Sequence, residues 1–108
     1  MSVRPVARVL QQLRRLGPSD LAGEAPDAEL VERFTRHGEE AAFAGLLRRH
    51  GPMVLRVCRG VLGDGPDAED AFQQTFVLLA RKAGTLARPE AVAAWLHGTA
   101  RRLVVRCS

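Results

Sequence analysis

Two short stretches hold the side chains with which this chain could do chemistry, and that chemistry is recognition rather than bond making. The first, Asp67-Ala68-Glu69-Asp70-Ala71-Phe72-Gln73-Gln74-Thr75-Phe76, sets carboxylates ahead of paired amides. Gln73 and Gln74 would fall on consecutive positions of a helix, so both cannot face a core. Their amides offer donors and acceptors to another protein without a charge to desolvate. The second stretch, Ala94-Trp95-Leu96-His97-Gly98-Thr99-Ala100-Arg101-Arg102, is aromatic and basic. Residues 85–108 carry Arg88, Arg101, Arg102 and Arg106 against Glu90, whereas residues 63–84 carry Asp64, Asp67, Glu69 and Asp70 against Arg81 and Lys82. Arginine suits bidentate phosphate contact and stacking on unpaired bases. Taken alone, Asp67 and Asp70 read as helix-capping acids, and Trp95 as a mostly packed residue in register with Val92, Leu96 and Thr99.

Composition narrows the classes further. A chain of 108 residues with 46% hydrophobic residues is one small folded domain. Its net charge of +4 suits a polyanionic partner. No Gly-rich loop precedes a lysine, no nucleophile has an evident base, and Cys58, Cys107, His37, His50 and His97 are too scattered to frame a metal. The reading is a binding protein with no cofactor and no metal, rather than an enzyme. Apolar runs such as Phe76 to Ala80 are far short of a membrane span, and no signal-peptide core opens the chain, so a cytoplasmic location with reduced thiols and no membrane partner is expected.

Helices must position these side chains, because the apolar periodicity is helical throughout. Leu30, Val31 and Phe34, then Phe43, Leu46, Leu47 and His50, follow helical spacing with a break at Gly38. Pro26, Asp27 and Glu29 suit a helix start. A separate helix is expected from about Pro52 to Leu62, with Val54, Val57, Cys58 and Val61 on one face. The next is expected to start with Asp67 as N-cap and to stop at Gly84 after Arg81 and Lys82. The last begins near Pro89, with Val92, Trp95, Leu96, Thr99 and Leu103 as its apolar face and the pairs His97/Arg101 and Arg102/Arg106 opposite. Upstream, Val6, Val9, Leu10 and Leu13 could form a basic amphipathic helix with Arg4, Arg8, Arg14 and Arg15, followed by a linker from Gly17 to Ala25.

The two stretches resemble the polymerase-binding segment (usually D-A-E-D-x-x-Q-E-x-F) and the promoter-melting helix (usually A-W-L-Y-x-I-A-R-N) of bacterial RNA polymerase sigma factors of the extracytoplasmic-function (ECF) class. With the segments Asp27 to Phe34 and Glu40 to Gly51, the resemblance runs from about Asp27 to the C-terminus, over that family's second conserved region. It implies an all-α small helical bundle over residues 27–108, after a basic extension and linker over 1–26. It implies that Asp70, Gln73 and Gln74 dock on the clamp coiled coil of the largest subunit of core RNA polymerase. Arg88, Trp95, His97, Arg101, Arg102 and Arg106 would then meet the non-template strand of the promoter −10 element, with the loop from Leu86 to Glu90 receiving an extruded base. Gln74, His97 and Arg102 stand where the family usually has Glu, an aromatic residue and Asn.

The function so implied is a promoter-recognition and melting subunit for transcription initiation. The alternative is a truncated or degenerate sigma fragment that only binds polymerase, and an anti-sigma factor is a further partner the resemblance allows. A second helical domain reading the −35 element is expected to be missing. The chain is therefore expected to bind polymerase but to initiate poorly from a closed duplex and better from a pre-melted one.

Overall fold

A computed structural model describes residues 25–107 of the chain, with side chains through residue 106. The expected basic N-terminal helix and nearly all of the linker lie outside the described residues. Four α-helices make up the described bundle: α1 (Asp27–His37), α2 (Glu40–Leu62), α3 (Pro66–Lys82) and α4 (Val92–Cys107). Two 3₁₀ turns, Ala83–Thr85 and Pro89–Ala91, carry the chain from α3 to α4. The all-α fold is as expected, and no strand occurs among the described residues.

Each helix begins and ends for a local reason. Pro26 precedes α1, whose first turn carries Asp27 and Glu29 toward the positive end of the helix dipole. Gly38 ends α1 in the left-handed region (φ 62°), and the backbone N–H groups of Gly38 and Glu39 donate to Phe34 and Arg33 carbonyls. The corner is then locked by Arg33 Nε donating to Glu39 Oε2 at 2.8 Å. A further tie joins α1 to the middle of α2, where Asp27 Oδ1 meets Arg49 at 2.8 Å and His50 Nε2 at 3.0 Å.

The expected helix boundary at Pro52 is not there. Helix α2 runs unbroken from Glu40 to Leu62 with Pro52 inside it. The physical reason is Gly51, since the steric conflict that drives a pre-proline residue out of the helical region arises in part from its Cβ, and glycine has none. Proline still removes one helical hydrogen bond, leaving the Arg48 carbonyl without its usual donor. The expected N-cap Asp67 is corrected as well. Gly65 caps α3 without a side-chain bond and Pro66 takes the first helical position, where its fixed φ fits and its missing N–H costs nothing. Asp67 thus acts through the dipole rather than as a cap. At the far end α3 gives way after Lys82 to a 3₁₀ turn that contains Gly84.

Burial follows the helical stripes. Leu30, Val31 and Phe34 of α1 pack with Phe43, Leu46, Leu47, Val54 and Cys58 of α2. A chain of aromatic contacts crosses the bundle, from Phe34 to Phe43 (4.8 Å between centroids), Phe43 to Phe76 (6.4 Å, edge to face) and Phe76 to Phe72 (5.2 Å). Thr75 is buried with its hydroxyl donating to the Ala71 carbonyl at 2.8 Å, so it carries no unmet polar group. In α4 the fully buried row is Val92, Leu96, Ala100 and Val104. Trp95 and Leu103, expected on that face, lie at its edge and are partly exposed. Val61, expected inside, is 53% exposed at the last turn of α2.

Candidate nucleic-acid interface

The packing of α3 fixes what it shows to solvent. Ala68, Ala71, Thr75, Phe76 and Leu79 are buried, which turns Asp70, Gln73 and Gln74 outward, and all three are exposed. Asp70, Gln74, Leu78 and Lys82 recur every fourth residue and form one row along α3, about 18 Å from end to end at the helical rise of about 1.5 Å per residue. The row is acidic at the start of the helix and cationic at its end, as the helix dipole favours. Beside Gln73, Phe72 is only partly buried and opens onto a groove shared with Pro52, Leu55, Arg48 and Arg56 of α2. Arg48 Nε is buried and finds no hydrogen-bond partner among the described residues.

In α4 the buried row leaves His97, Arg101, Arg102 and Arg106 exposed. Arg102 is folded back along its own helix, with Nη2 donating to Thr99 Oγ1 at 3.3 Å. A Cβ at Gly98 would lie in ordinary van der Waals contact with Arg102 Nη1, at 3.5 Å. Arg88 is exposed in the loop before α4, where its carbonyl accepts the Ala91 N–H at 2.9 Å. The adjoining 3₁₀ turns pack against α1, which holds that loop from behind.

A cleft of about 730 Å³ separates the end of α3 from α4. Leu78, Trp95, Leu103 and Val105 supply its apolar lining, and Arg101, Arg102 and Arg106 line it from α4. The structure thus brings four of the expected residues together, Trp95 and the three α4 arginines, and does not place Arg88 or His97 in the same cleft. Leu78 and Lys82, which the sequence reading did not single out, complete it from α3. The signal that could have found them is the four-residue repeat from Asp70.

Charge is distributed unevenly. The described ion pairs join Arg33 to Glu29 and Glu39, Arg49 and His50 to Asp27, and Arg59 to Asp64. Among the described residues, Lys82, Arg88, Arg101, Arg102 and Arg106 meet no carboxylate, and the cleft is lined by no acid. The hydrogen bond from Arg33, opposed in part by desolvation, draws the Glu39 carboxyl below its ordinary range. No group of three or more His, Cys, Asp or Glu among the described residues could hold a metal ion, and no described helix is long and apolar enough to cross a membrane.

The described helices form a bundle with an acidic, amide-bearing row on α3 and a cleft lined by Trp95 and three α4 arginines. Residues 46–106 match the family described as Sigma-70 region 2, and the chain belongs to that family, in its ECF class. The ECF RNA polymerase sigma factor SigM of Mycobacterium tuberculosis (strain ATCC 25618 / H37Rv) is 36% identical over 74 residues, covering 68% of this chain and 37% of the relative. SigM of the Erdman strain (ATCC 35801 / TMC 107) is 35% identical over the same length and shares. The chain therefore spans little more than a third of these curated relatives. No solved structure matches it.

Proposed function

We propose that residues 27–108 act as a promoter-recognition module for transcription initiation, docking on core RNA polymerase through α3 and holding the non-template strand of an opened −10 element along α4. The work is positional, and the polymerase performs the chemistry. The observation that carries this reading is the set of exposed α4 arginines that meet no carboxylate among the described residues. Guanidinium groups without a described carboxylate partner, beside apolar side chains, suit phosphates and unstacked bases, and surface cations kept only for solubility are more often interspersed with acids.

For docking, Asp70, Gln73 and Gln74 supply polar contacts, while the groove at Phe72, Pro52 and Leu55 supplies the apolar area that protein interfaces need at their centre. A polymerase seated at the acidic end of the α3 row would lie beside the strand held at its other end. The arrangement links docking to strand capture without a moving part.

Gel filtration of the chain with core polymerase and a single-stranded −10 oligonucleotide tests this. All three components should co-elute. Replacing Asp70, Gln73 and Gln74 by Ala should release the polymerase while the chain still holds the oligonucleotide. Co-elution of that triple variant with polymerase at undiminished affinity would reject the docking assignment. Retention of polymerase with no oligonucleotide would leave only an interaction module.

A further inference from the structure

We propose that the groove along α2 is a small-molecule site for a fatty-acid-type amphiphile, whose carboxylate pairs with Arg48 and Arg56 and whose alkyl chain covers the apolar lining. The site stands without the polymerase reading. One consequence rests on that reading: because the same groove is assigned the apolar contact with polymerase, a bound amphiphile would exclude polymerase from this face.

Three observations carry the proposal. The lining of the groove recurs every fourth residue along α2 and just past its end, through Leu47, Gly51, Leu55, Arg59 and Gly63. At a rise of about 1.5 Å per residue it is about 24 Å long, which suits an extended chain better than a compact ring system. Its volume of about 890 Å³ lies within the roughly 300–1,000 Å³ of small-molecule sites. The lining is largely apolar, with Leu47, Pro52, Leu55 and Phe72 supplying hydrocarbon and the glycines adding no side chain. Gly60 is among those glycines, and a Cβ there would meet nothing within 4 Å, so no packing neighbour accounts for a residue that weakens a helix.

The third observation is charge. Arg48, Arg56 and Arg59 line the groove against a single acid, Asp64, and Arg59 already pairs with it at 3.1 Å. Arg48 and Arg56 meet no carboxylate among the described residues, and Arg48 Nε is buried with no hydrogen-bond partner there. A neutral lipid would leave both cations unmatched, and a phosphate or nucleotide would leave the hydrocarbon in water. An acidic helix from another protein offers the same two chemistries. At about 24 Å long and about 10 Å across it occupies about 1,900 Å³, so most of it would stand outside the groove, whereas a single alkyl chain fits within it.

Dodecanoate below its micelle concentration, titrated into the isotope-labelled full chain and followed by NMR, tests the site. Dodecanol supplies the chain without the charge, acetate the charge without the chain, and phosphatidylglycerol vesicles a membrane surface. Dodecanoate should bind saturably at one site, moving the amide signals of residues 47–64 and Phe72 while leaving Trp95, which does not line the groove, unmoved. Dodecanol should bind about tenfold more weakly and acetate should not bind. Arg56→Gln should weaken dodecanoate and not dodecanol, while Arg81→Gln, at a cation outside the groove, should weaken neither. Both positions are exposed, and circular dichroism checks that each variant is folded. Equal affinity for dodecanoate and dodecanol, equal effects of the two substitutions, or binding only to vesicles or to an acidic amphipathic peptide would overturn the proposal. Adding dodecanoate to the chain with core polymerase separates the two readings. Release of polymerase supports both. Polymerase retained by a chain that holds dodecanoate supports the ligand site and removes the groove from the docking surface, and polymerase retained by a chain that binds no dodecanoate removes the ligand site alone.

Discussion

Replacing Arg101, Arg102 and Arg106 together by Gln removes the cationic side of α4 without touching its packing. All three are exposed, and none has a carboxylate partner among the described residues. The only described hydrogen bond at risk is the one from Arg102 to Thr99 at 3.3 Å, so stability should change by no more than about 0.5 kcal/mol per site. The effect on binding is much larger. If each arginine neutralises one phosphate of a single strand, the log–log dependence of affinity on salt loses about 0.7 per residue, or about 2.1 for the triple variant. Between about 50 and about 200 mM salt, the wild-type chain should then lose about 20-fold more affinity than the variant. Fluorescence anisotropy of a labelled −10 non-template oligonucleotide, repeated across that range, measures both slopes. A variant slope equal to the wild-type slope would refute the placement of these arginines on phosphate, whatever the absolute affinities.

Two further outcomes test the scaffold beneath the site. Pro52 lies inside α2 at an exposed position; Pro52→Ala restores a helical hydrogen bond, a gain of about 3 kcal/mol offset by about 1 from a less restricted unfolded chain, so urea denaturation should show a rise of about 2 kcal/mol at unchanged m. A fall in stability would mean that the bundle needs the geometry proline imposes. At the α1/α2 corner, the hydrogen bond from Arg33 lowers the Glu39 carboxyl, so its contribution to stability is full above the ordinary carboxylate range and is lost as pH falls through the depressed value. Carbon-detected NMR titration should find Glu39 titrating below the ordinary glutamate range, and Arg33→Gln should bring it back up. An unmoved midpoint in that variant would show that the contact is not made in solution.

The fold was legible in the sequence to the extent that single helices obey local rules. The stripes Leu30/Val31/Phe34, Phe43/Leu46/Leu47 and Val92/Leu96 were readable because a bundle buries one face of each helix. Gly38 was readable because a left-handed helix end favours glycine. The two corrected boundaries have a common origin in proline. Pro52 was read as a helix start when Gly51 lets it sit inside α2, and Pro66 was passed over in favour of Asp67 although it holds the first position of α3.

The candidate site was legible in its chemistry and less so in its grouping. Exposure of Asp70, Gln73 and Gln74 follows from the buried row of α3, and the α4 arginines follow from the buried row of α4. The joining of Trp95 to Leu78 and Lys82 does not follow from either helix alone, because it depends on how α3 and α4 lie against each other. Trp95 sits where the apolar face of α4 meets that cleft and is partly exposed, which agrees with the reading of it as mostly packed. The clamp of Asp27 on Arg49 and His50 was equally invisible, since its partners are more than twenty residues apart.

The central claim is that this domain couples polymerase docking to capture of an opened strand. Run-off transcription with core polymerase on a template pre-opened across the −10 element tests it most directly. Adding the chain should raise transcription from that template above polymerase alone. The increase should be lost both with Asp70, Gln73 and Gln74 replaced by Ala and with Arg101, Arg102 and Arg106 replaced by Gln. Transcription no higher than that of polymerase alone, from a chain shown to bind both polymerase and the oligonucleotide, would contradict the account.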